Sequence, residues 1–132
     1  MAARTRTLDL TVEAWKLAVS RLPPDVPVPA WAMRGAFHAV VRTPAELSIV
    51  CPAADVPSDV QSEQGWRCFS LAGPIAFEET GVLSSIAAPL AAAGVGIFAI
   101  STFDTDYVLV PGRRLEAALR ALESAGHRIR KR

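Results

Sequence analysis

Residues 94–111, GVGIFAISTFDTDYVLVP, decide the fold, because two apolar runs there enclose a short polar stretch. The first run, VGIFAIST, is apolar at successive positions, which suits a central strand covered on both faces better than an edge strand. The second run, DYVLV, predicts another strand. Since only a short polar-tipped segment separates the runs, we predict a hairpin of two antiparallel neighbours with hydroxyls and acids at its turn.

The segment before this hairpin predicts a helix. GVLSSIAAPLAAAG spaces its apolar residues at i, i+3, i+4 and i+7, so that they share one helical face. These residues are Leu83, Ile86, Ala87 and Leu90. Thr80 is the predicted cap at the start of the helix, and Gly94 is the predicted residue at its end.

The segment after the hairpin, RRLEAALRALESAG, predicts a second helix that ends before Gly126. Its buried stripe consists of Leu115, Ala118, Leu119 and Leu122. WRCFSLAG and HRIR predict a strand before the first helix and a strand after the second. The C-terminal half therefore has the predicted order β-α-β-β-α-β, which is the split βαβ pattern of a ferredoxin-like α+β fold.

The N-terminal half resembles a shortened copy of the C-terminal half. VVRTPAELSIVCP aligns with AISTFDTDYVLVP without a gap, so that Thr43 matches Thr102. The prolines of PPDVPVPAWAMRGA exclude the long helix that the other half has at this place. We predict an internal duplication, with a shortened module at residues 1–60 and a complete module at residues 61–132.

Composition excludes several classes of protein. A net charge of +1 gives no strong attraction to nucleic acid or anionic lipid, and 51% apolar residues argue against disorder. Cys51 and Cys68 fit no metal-binding spacing, so we predict buried thiols in a reducing, cytoplasmic location rather than a disulfide. No metal site and no cofactor are predicted.

A membrane span is also disfavoured. Residues 80–103 carry no charge and are long enough to cross a bilayer, but Pro89, Gly94 and Gly96 interrupt any single helix. RNA binding to the sheet would need exposed aromatic residues on the central strands, and these strands carry Ile, Ala, Val and Leu instead. We predict neither a membrane nor a nucleic acid as partner.

The motif ISTFDTDYVLV, together with the preceding APLA and Gly94, resembles the ACT domain family of amino-acid-sensing modules. The resemblance is greatest to the tandem ACT subfamily that includes cytosolic arginine sensors and small two-ACT bacterial proteins. It extends over residues 66–131 and is fainter over residues 14–52. It implies a ferredoxin-like ACT fold, βαββαβ, with a complete C-terminal module fused to a shortened N-terminal one. It also implies a regulatory role and frequent dimerisation.

The resemblance implies a ligand site between two modules, formed by the loop before the first helix, a closing strand and the hairpin. The implied residues are Ala76, Phe77, Glu78, Glu79, Thr80, Gly81, Gly96, Ile97, Asp104 and Asp106. Backbone N–H groups at a helix start suit a carboxylate, and Glu79 with Asp106, or less readily Asp104, suits a cation. The alternative roles stay open: aspartates serve as turn residues, and glutamates favour a helix start through its dipole.

Two functions are consistent with the sequence. The first is a non-catalytic regulatory module that binds a small amino acid, as a homodimer, since pairing two modules covers sheet edges. The second is an interaction module with a vestigial pocket that contacts a regulated enzyme or transporter. Catalysis is disfavoured because His38 and His127 lack an acid or nucleophile at motif spacing.

Overall fold

The structure, a computed structural model, describes residues 7–76 and 78–132. The chain divides into two compact units. The small unit is Trp15–Trp66, and the large unit combines the described residues before Trp15 with Arg67–Arg132. The compact units group the first strand with the C-terminal residues, and the division at residue 60 stays a prediction about domains. Residues 1–6 of the predicted first module lie outside the described residues.

Strands and helices are mixed along the chain, which confirms the predicted α+β class. The strands are β1 Asp9–Val12, β2 Leu17–Leu22, β3 Ala39–Arg42, β4 Leu47–Pro52, β5 Gln61–Leu71, β6 Phe98–Ser101, β7 Asp106–Pro111 and β8 Arg128–Lys131. The α-helices are α1 Val82–Ala92 and α2 Leu115–Ser124, and short 3-10 helices cover Ala30–Met33, Ala53–Asp55 and Gly112–Arg114. No helix in the described part of the chain is long and apolar enough to cross a membrane.

The large unit has the strand order β6-β7-β5-β1-β8. Its chain order from β5 to β8 is the predicted β-α-β-β-α-β. Strand β1 adds a strand that the sequence did not predict: it runs antiparallel to β5, with Leu10 opposite Leu71, and parallel to β8, with Asp9 opposite Arg128. The sheet of this unit thus receives one strand from the start of the chain.

Strand β6 corrects the prediction that VGIFAIST forms a central strand. Within residues 7–76 and 78–132, β6 pairs only with β7 and is therefore an edge strand. Phe98 and Ile100 are half-buried, whereas Ala99 and Ser101 are exposed. The run looked continuous because Ala99 on the open face is apolar, although burial alternates as it does in a strand covered on one face.

The core of the large unit lies between its sheet and helices. Its buried members are Leu10, Val12, Phe69, Leu71, Val82, Ile86, Leu90, Val95, Val108, Val110, Ala118, Leu119 and Leu122. Burying one such aliphatic or aromatic side chain contributes about 1.5–3 kcal/mol before entropy is subtracted. The stripe predicted for α2 is confirmed, with Leu115 packing against the cluster from a half-buried position.

The prediction for the ends of α1 is confirmed at the C-terminal end and wrong at the N-terminal end. Gly94 has φ +74°, and the N–H of Val95 donates to the carbonyl of Leu90 at 2.9 Å, so Gly94 ends the helix as predicted. At the start, Gly81 adopts the left-handed conformation and no side chain caps the helix within the described residues. The prediction that Thr80 caps α1 is therefore wrong, because Gly81 occupies the capping position.

The small unit has the strand order β3-β4-β2-β5. A short 3-10 helix, Ala30–Met33, stands at the chain position where the large unit has α1, as the prolines of this segment predicted. Its core consists of Ala32, Leu47, Ile49 and Cys51. The fold thus has the two modules that the sequence predicted, the shorter one nested within the chain of the longer.

Candidate functional site

The loop between β5 and α1 is attached to the turn of the β6–β7 hairpin. The N–H of Ile75 donates to the carbonyl of Asp104 at 2.7 Å, and the hydroxyl of Thr105 donates to the carbonyl of Leu71 at 3.0 Å. A Cβ added to Gly73 would lie 3.0 Å from that same Asp104 oxygen, a tight contact that the loop or the hairpin would have to relieve by a small shift. Residues 71–75, which directly precede the predicted loop, are therefore bonded to the hairpin turn that carries Asp104.

The hairpin turn is built from hydroxyls. Thr102 Oγ1 donates to the carbonyl of Thr105 at 3.1 Å, and the N–H of Thr105 donates to the same hydroxyl at 3.2 Å. Ser101, which lies opposite Asp106 across the two strands, donates its hydroxyl to Asp106 Oδ1. The Asp106 carboxylate is therefore oriented by a neighbour within the hairpin.

The predicted loop residues next to α1 are exposed. Glu78, Glu79 and Thr80 precede Gly81, whose carbonyl accepts the N–H of Ser85 at 3.0 Å. The first-turn N–H groups of a helix have no partner within that helix, and no side chain caps them here within the described residues. Such a helix start suits a negatively charged group. Phe77 of the predicted loop lies outside the described residues.

Gly96 and Ile97 lie at the other end of β6. They precede Phe98, whereas Ser101 leads into the hairpin turn. At about 3.3 Å per residue, Gly96 and Ser101 are roughly 16 Å apart along the strand. In the described part of the chain, a Cβ added to Gly96 would meet open space, and Ile97 is 36% exposed. Within one chain, Gly96 and Ile97 thus lie apart from the hairpin turn that carries Asp104 and Asp106.

Glu13 and Cys68 are two titratable groups of the large unit whose pKa values are shifted. Glu13, 3% exposed, accepts two hydrogen bonds from Arg132, at 2.6 and 3.0 Å, and one from Ser70 at 2.8 Å. The hydrogen bond from Arg132 lowers the pKa of Glu13, although burial acts in the opposite direction. Burial raises the pKa of the Cys68 thiol to about 12, so this cysteine is no nucleophile at neutral pH.

His127 has a structural role in the large unit. Pro89 has no N–H, so the carbonyl of Ser85 lacks the donor that a helix normally gives it. His127 Nε2 lies 2.8 Å from that oxygen, and the N–H of Leu8 donates to His127 Nδ1 at 3.1 Å. Because Nδ1 accepts, Nε2 carries the proton and donates to Ser85. This buried histidine is fully engaged and is not available for catalysis.

Sequence reasoning missed two residues of the large unit, one at the loop and one away from it. Gly73 lies at a tight contact between segments far apart in the chain, and no local pattern marks such a contact. Glu13 is a buried carboxylate that directly follows β1, the short strand that the sequence did not predict as part of this sheet. Its alternation with Thr11 and Asp9, on the face opposite Leu10 and Val12, is the signal that could have identified it.

Comparison with known families assigns both halves of the chain. A family model described as ACT domain matches residues 61–124. A second model, which describes an N-terminal domain, matches residues 16–59. The first match lies in the C-terminal half of the chain and the second in the N-terminal half.

The chain is similar to curated relatives that are named as an arginine sensor. It is 35% identical over 96 residues to the Bos taurus protein "Cytosolic arginine sensor for mTORC1 subunit 1", a match that covers 67% of this chain and 29% of that protein. The chain thus spans less than a third of the length of that relative.

Solved structures share the fold. A crystal structure of an Agrobacterium tumefaciens protein has 40% identity and a TM-score of 0.92, covering 97% of this chain and 96% of that one. The regulatory subunit of aspartate kinase from Thermus thermophilus has a TM-score of 0.59 at 16% identity, covering 85% and 93%. The latter similarity concerns the fold alone.

Proposed function

The chain belongs to the ACT domain family, and we propose that it is a non-catalytic regulatory module that binds a cationic amino acid. The binding site is the end of the large unit where the β5–α1 loop meets the β6–β7 hairpin. The module acts in the cytoplasm as a homodimer and transmits ligand binding to a partner, such as a regulated enzyme or a transporter. The relative that is named an arginine sensor supports this assignment.

One observation carries the proposal: the loop before α1 is attached to the hairpin turn through the bond from Ile75 to Asp104. The proposed site combines the acids of this loop and hairpin with the uncapped start of α1. The acids are Glu78, Glu79, Asp104 and Asp106. An amino acid has one carboxylate for the helix start and at least one ammonium for the acids, so both charges find complementary groups.

A second chain is part of the proposed site. Gly96 and Ile97 lie at the far end of β6, too distant to contact the same small ligand as Asp106 within one chain. Strand β6 is also an edge strand in the described residues, and an edge strand can pair with a second chain. A twofold pair places Gly96 and Ile97 of one protomer beside the loop and hairpin of its partner, and this completes the predicted residue set.

Ligand-dependent stability tests the proposal. Thermal unfolding of the full chain is measured with each proteinogenic amino acid. At about a hundred times its Kd a ligand adds about 2.7 kcal/mol, which raises the midpoint by several degrees. We expect this shift with a cationic amino acid. The Asp106→Asn variant loses most of it, and Asp59→Asn, which removes an exposed acid of the small unit, keeps it.

An interaction module without ligand is the second candidate function. Phe103, at the tip of the hairpin, is 79% exposed, so much of its ring surface is accessible to a partner protein. A partner protein that buries this ring would use the same end of the large unit. Absence of a thermal shift with every amino acid, together with an unchanged midpoint in Asp106→Asn, would favour this candidate over ligand binding.

A further inference from the structure

The face of the large unit's sheet that is remote from its helices carries a ladder of charged side chains. Leu10 and Val12 point into the core, so Asp9 and Thr11 lie on the opposite face, because side chains alternate along a strand. Strand β8 runs parallel to β1, and the register places Arg128 beside Asp9. On this face, residues 9, 11 and 13 therefore lie beside residues 128, 130 and 132. We call each such pair of neighbouring residues a rung and the set of three the ladder.

The two outer rungs are closed by ion pairs. Arg128 donates to Asp9 through Nε at 2.6 Å and through a terminal nitrogen at 3.2 Å. Arg132 donates to Glu13 in the same two-pronged way, at 2.6 and 3.0 Å. Such bidentate pairs between a guanidinium and a carboxylate have the most favourable geometry available to arginine. Both carboxylates consequently have lowered pKa values, chiefly because of these hydrogen bonds.

The middle rung lacks its carboxylate. The register pairs Arg130 with Thr11, so a hydroxyl stands where the outer rungs have an acid. Among residues 7–76 and 78–132, the guanidinium of Arg130 makes no hydrogen bond and no ion pair. Its charge does reach Asp9, where it helps Arg128 to lower the pKa of that carboxyl. The N–H donors of the Arg130 guanidinium can therefore bind an acceptor from outside the described residues.

A cavity of about 360 Å³ lies at this rung. The residues that line it are Asp9, Leu10, Thr11, Ala72, Arg128, Ile129 and Arg130. This volume is within the range of sites for small ligands, roughly 300–1,000 Å³. None of the lining residues belongs to the predicted amino-acid site, so the cavity is a separate feature of the unit.

We propose that this cavity is a carboxylate-binding site in which Arg130 and the hydroxyl of Thr11 hold the ligand. The outer rungs show the arrangement that the middle rung would complete: one carboxylate seated on one guanidinium of the β8 row. The three guanidiniums and two carboxylates of the ladder leave one positive charge, which a monoanion neutralises. A phosphate dianion would overcompensate that charge and be repelled by Asp9 and Glu13.

Titration with sodium acetate tests the site directly. Backbone amide shifts of the full chain are followed by NMR, with sodium chloride at matched ionic strength as reference and inorganic phosphate as the competing anion. We expect saturable shifts in β1 and β8 with acetate and none with chloride. Saturation with phosphate but not with acetate, or no saturable shift with either, overturns the proposal.

Two variants localise the binding. Arg130→Gln is expected to weaken acetate binding about tenfold or more, since it removes the charge-assisted bonds. Lys131→Gln is the matched control: it removes the same charge from the same strand, but the register places it beside the core residue Val12. Equal acetate affinity in Arg130→Gln and Lys131→Gln contradicts the assignment.

A third variant supplies the missing carboxylate. Thr11→Glu places an acid beside Arg130 and should fill the middle rung from within the chain. We expect it to abolish the acetate-dependent shifts while the remaining amide spectrum stays native, and Thr11→Gln to leave the cavity unneutralised. Acetate binding that survives in a folded Thr11→Glu variant overturns the proposal. These readouts concern β1 and β8, so they are independent of the thermal shifts that test the amino-acid site.

Discussion

The β3–β4 hairpin of the small unit and the β6–β7 hairpin of the large unit have the same internal geometry. Ala39 lies opposite Val50, and the aligned residue Phe98 lies opposite Leu109. The gap-free alignment of the two sequences therefore reflects a shared register. A proline and a short 3-10 helix follow each hairpin, as a further sign of the same plan.

The two turns also use threonine in the same way. The N–H of Thr43 donates to the carbonyl of Glu46 at 2.9 Å, and the N–H of Thr102 donates to that of Thr105 at 2.8 Å. In both turns the threonine hydroxyl accepts the later residue's N–H at 3.2 Å. Since this hydroxyl holds the backbone locally, the turn survives large changes in its neighbours.

The charges beside the two turns are different. In the small unit Arg42 donates its guanidinium to the carbonyls of Pro24 and Val26, in the loop that corresponds to the β5–α1 loop. The large unit has Ser101 at the aligned position, and this serine orients the carboxylate of Asp106. The small unit thus contains its own guanidinium at this place, whereas the large unit presents an acid.

This difference favours the large unit as the place of the proposed ligand site. Equal hairpin geometry does not decide function, because both units have it. In the small unit, the guanidinium of Arg42 is hydrogen-bonded to carbonyl oxygens of the loop. In the large unit, Asp104 and Asp106 form no ion pair within residues 7–76 and 78–132. The comparison therefore supports a cationic ligand in the large unit.

The largest effect is expected from Gly35→Ala in the small unit. A Cβ at this position would lie 2.2 Å from Cγ of Pro52, the last residue of the β3–β4 hairpin, and the proline ring has little freedom to move. We expect a loss of about 3 kcal/mol, as in overpacked cores. Urea unfolding measures the loss in free energy of unfolding. A loss below about 1 kcal/mol would show that Pro52 can shift to accommodate the new Cβ.

Gly73→Ala addresses the corresponding loop of the large unit. The new Cβ would lie 3.0 Å from the Asp104 oxygen and 3.2 Å from Thr105 Cβ, so the loop must move away from the hairpin. We expect a loss of about 1–2 kcal/mol and a weaker thermal shift with the ligand. Gly96→Ala, whose Cβ would meet open space among the described residues, is the control for stability of a single chain. An unchanged ligand shift in Gly73→Ala would separate the loop from the binding site.

Gly73 illustrates the limit of what the sequence can predict. The strands of both hairpins, the stripe of α2 and the glycines that end helices follow from local patterns, and the structure confirms them. The stripe predicted for α1 is confirmed at Ile86 and Leu90, whereas Leu83 is only partly buried and the unpredicted Val82 is buried. The tight contact at Gly73 is with residues about thirty positions later, and local pattern does not encode such contacts.

The sequence also did not predict which strands are neighbours in the sheet and which strand lies at its edge. The segment DLTV is too short to predict its pairing, yet β1 inserts between β5 and β8. The apolar run of β6 suggested a central strand, although Ala99 faces the open side. For the candidate site, the family motif placed Asp106 in the hairpin, but its bond to Ser101 depends on cross-strand register and is visible only in three dimensions.

We expect low pH to destabilise the large unit through protonation of Glu13. Its pKa is lowered in the folded state, mainly by the hydrogen bond from Arg132. Its contribution to stability is therefore complete above the ordinary value of 4.5 and is lost as the pH falls through the lowered folded value. We expect amide-exchange protection of β1 and β8 to fall below about pH 4.5. Glu13→Gln should flatten this dependence, and an unchanged pH profile in that variant would contradict this role.

The smallest effect is expected from the paired variants Thr43→Val and Thr102→Val. Each removes one hydroxyl that holds a turn, at a cost of about 0.5–1 kcal/mol. Because the two hydroxyls make matching bonds, the two losses should agree within about 0.5 kcal/mol. Chemical unfolding of both variants measures the difference, and a clearly larger loss at one site would show that the turns are not equivalent.

The most direct test of the central claim is a calorimetric titration of the full chain with L-arginine and, separately, with L-citrulline. The two ligands share their amino acid ends and differ in that citrulline carries a neutral urea group in place of the guanidinium. The hairpin acids of the large unit predict saturable binding of arginine that is at least about tenfold tighter than that of citrulline. Equal affinity for both ligands, or no binding of either, would contradict recognition of a cationic amino acid by this hairpin.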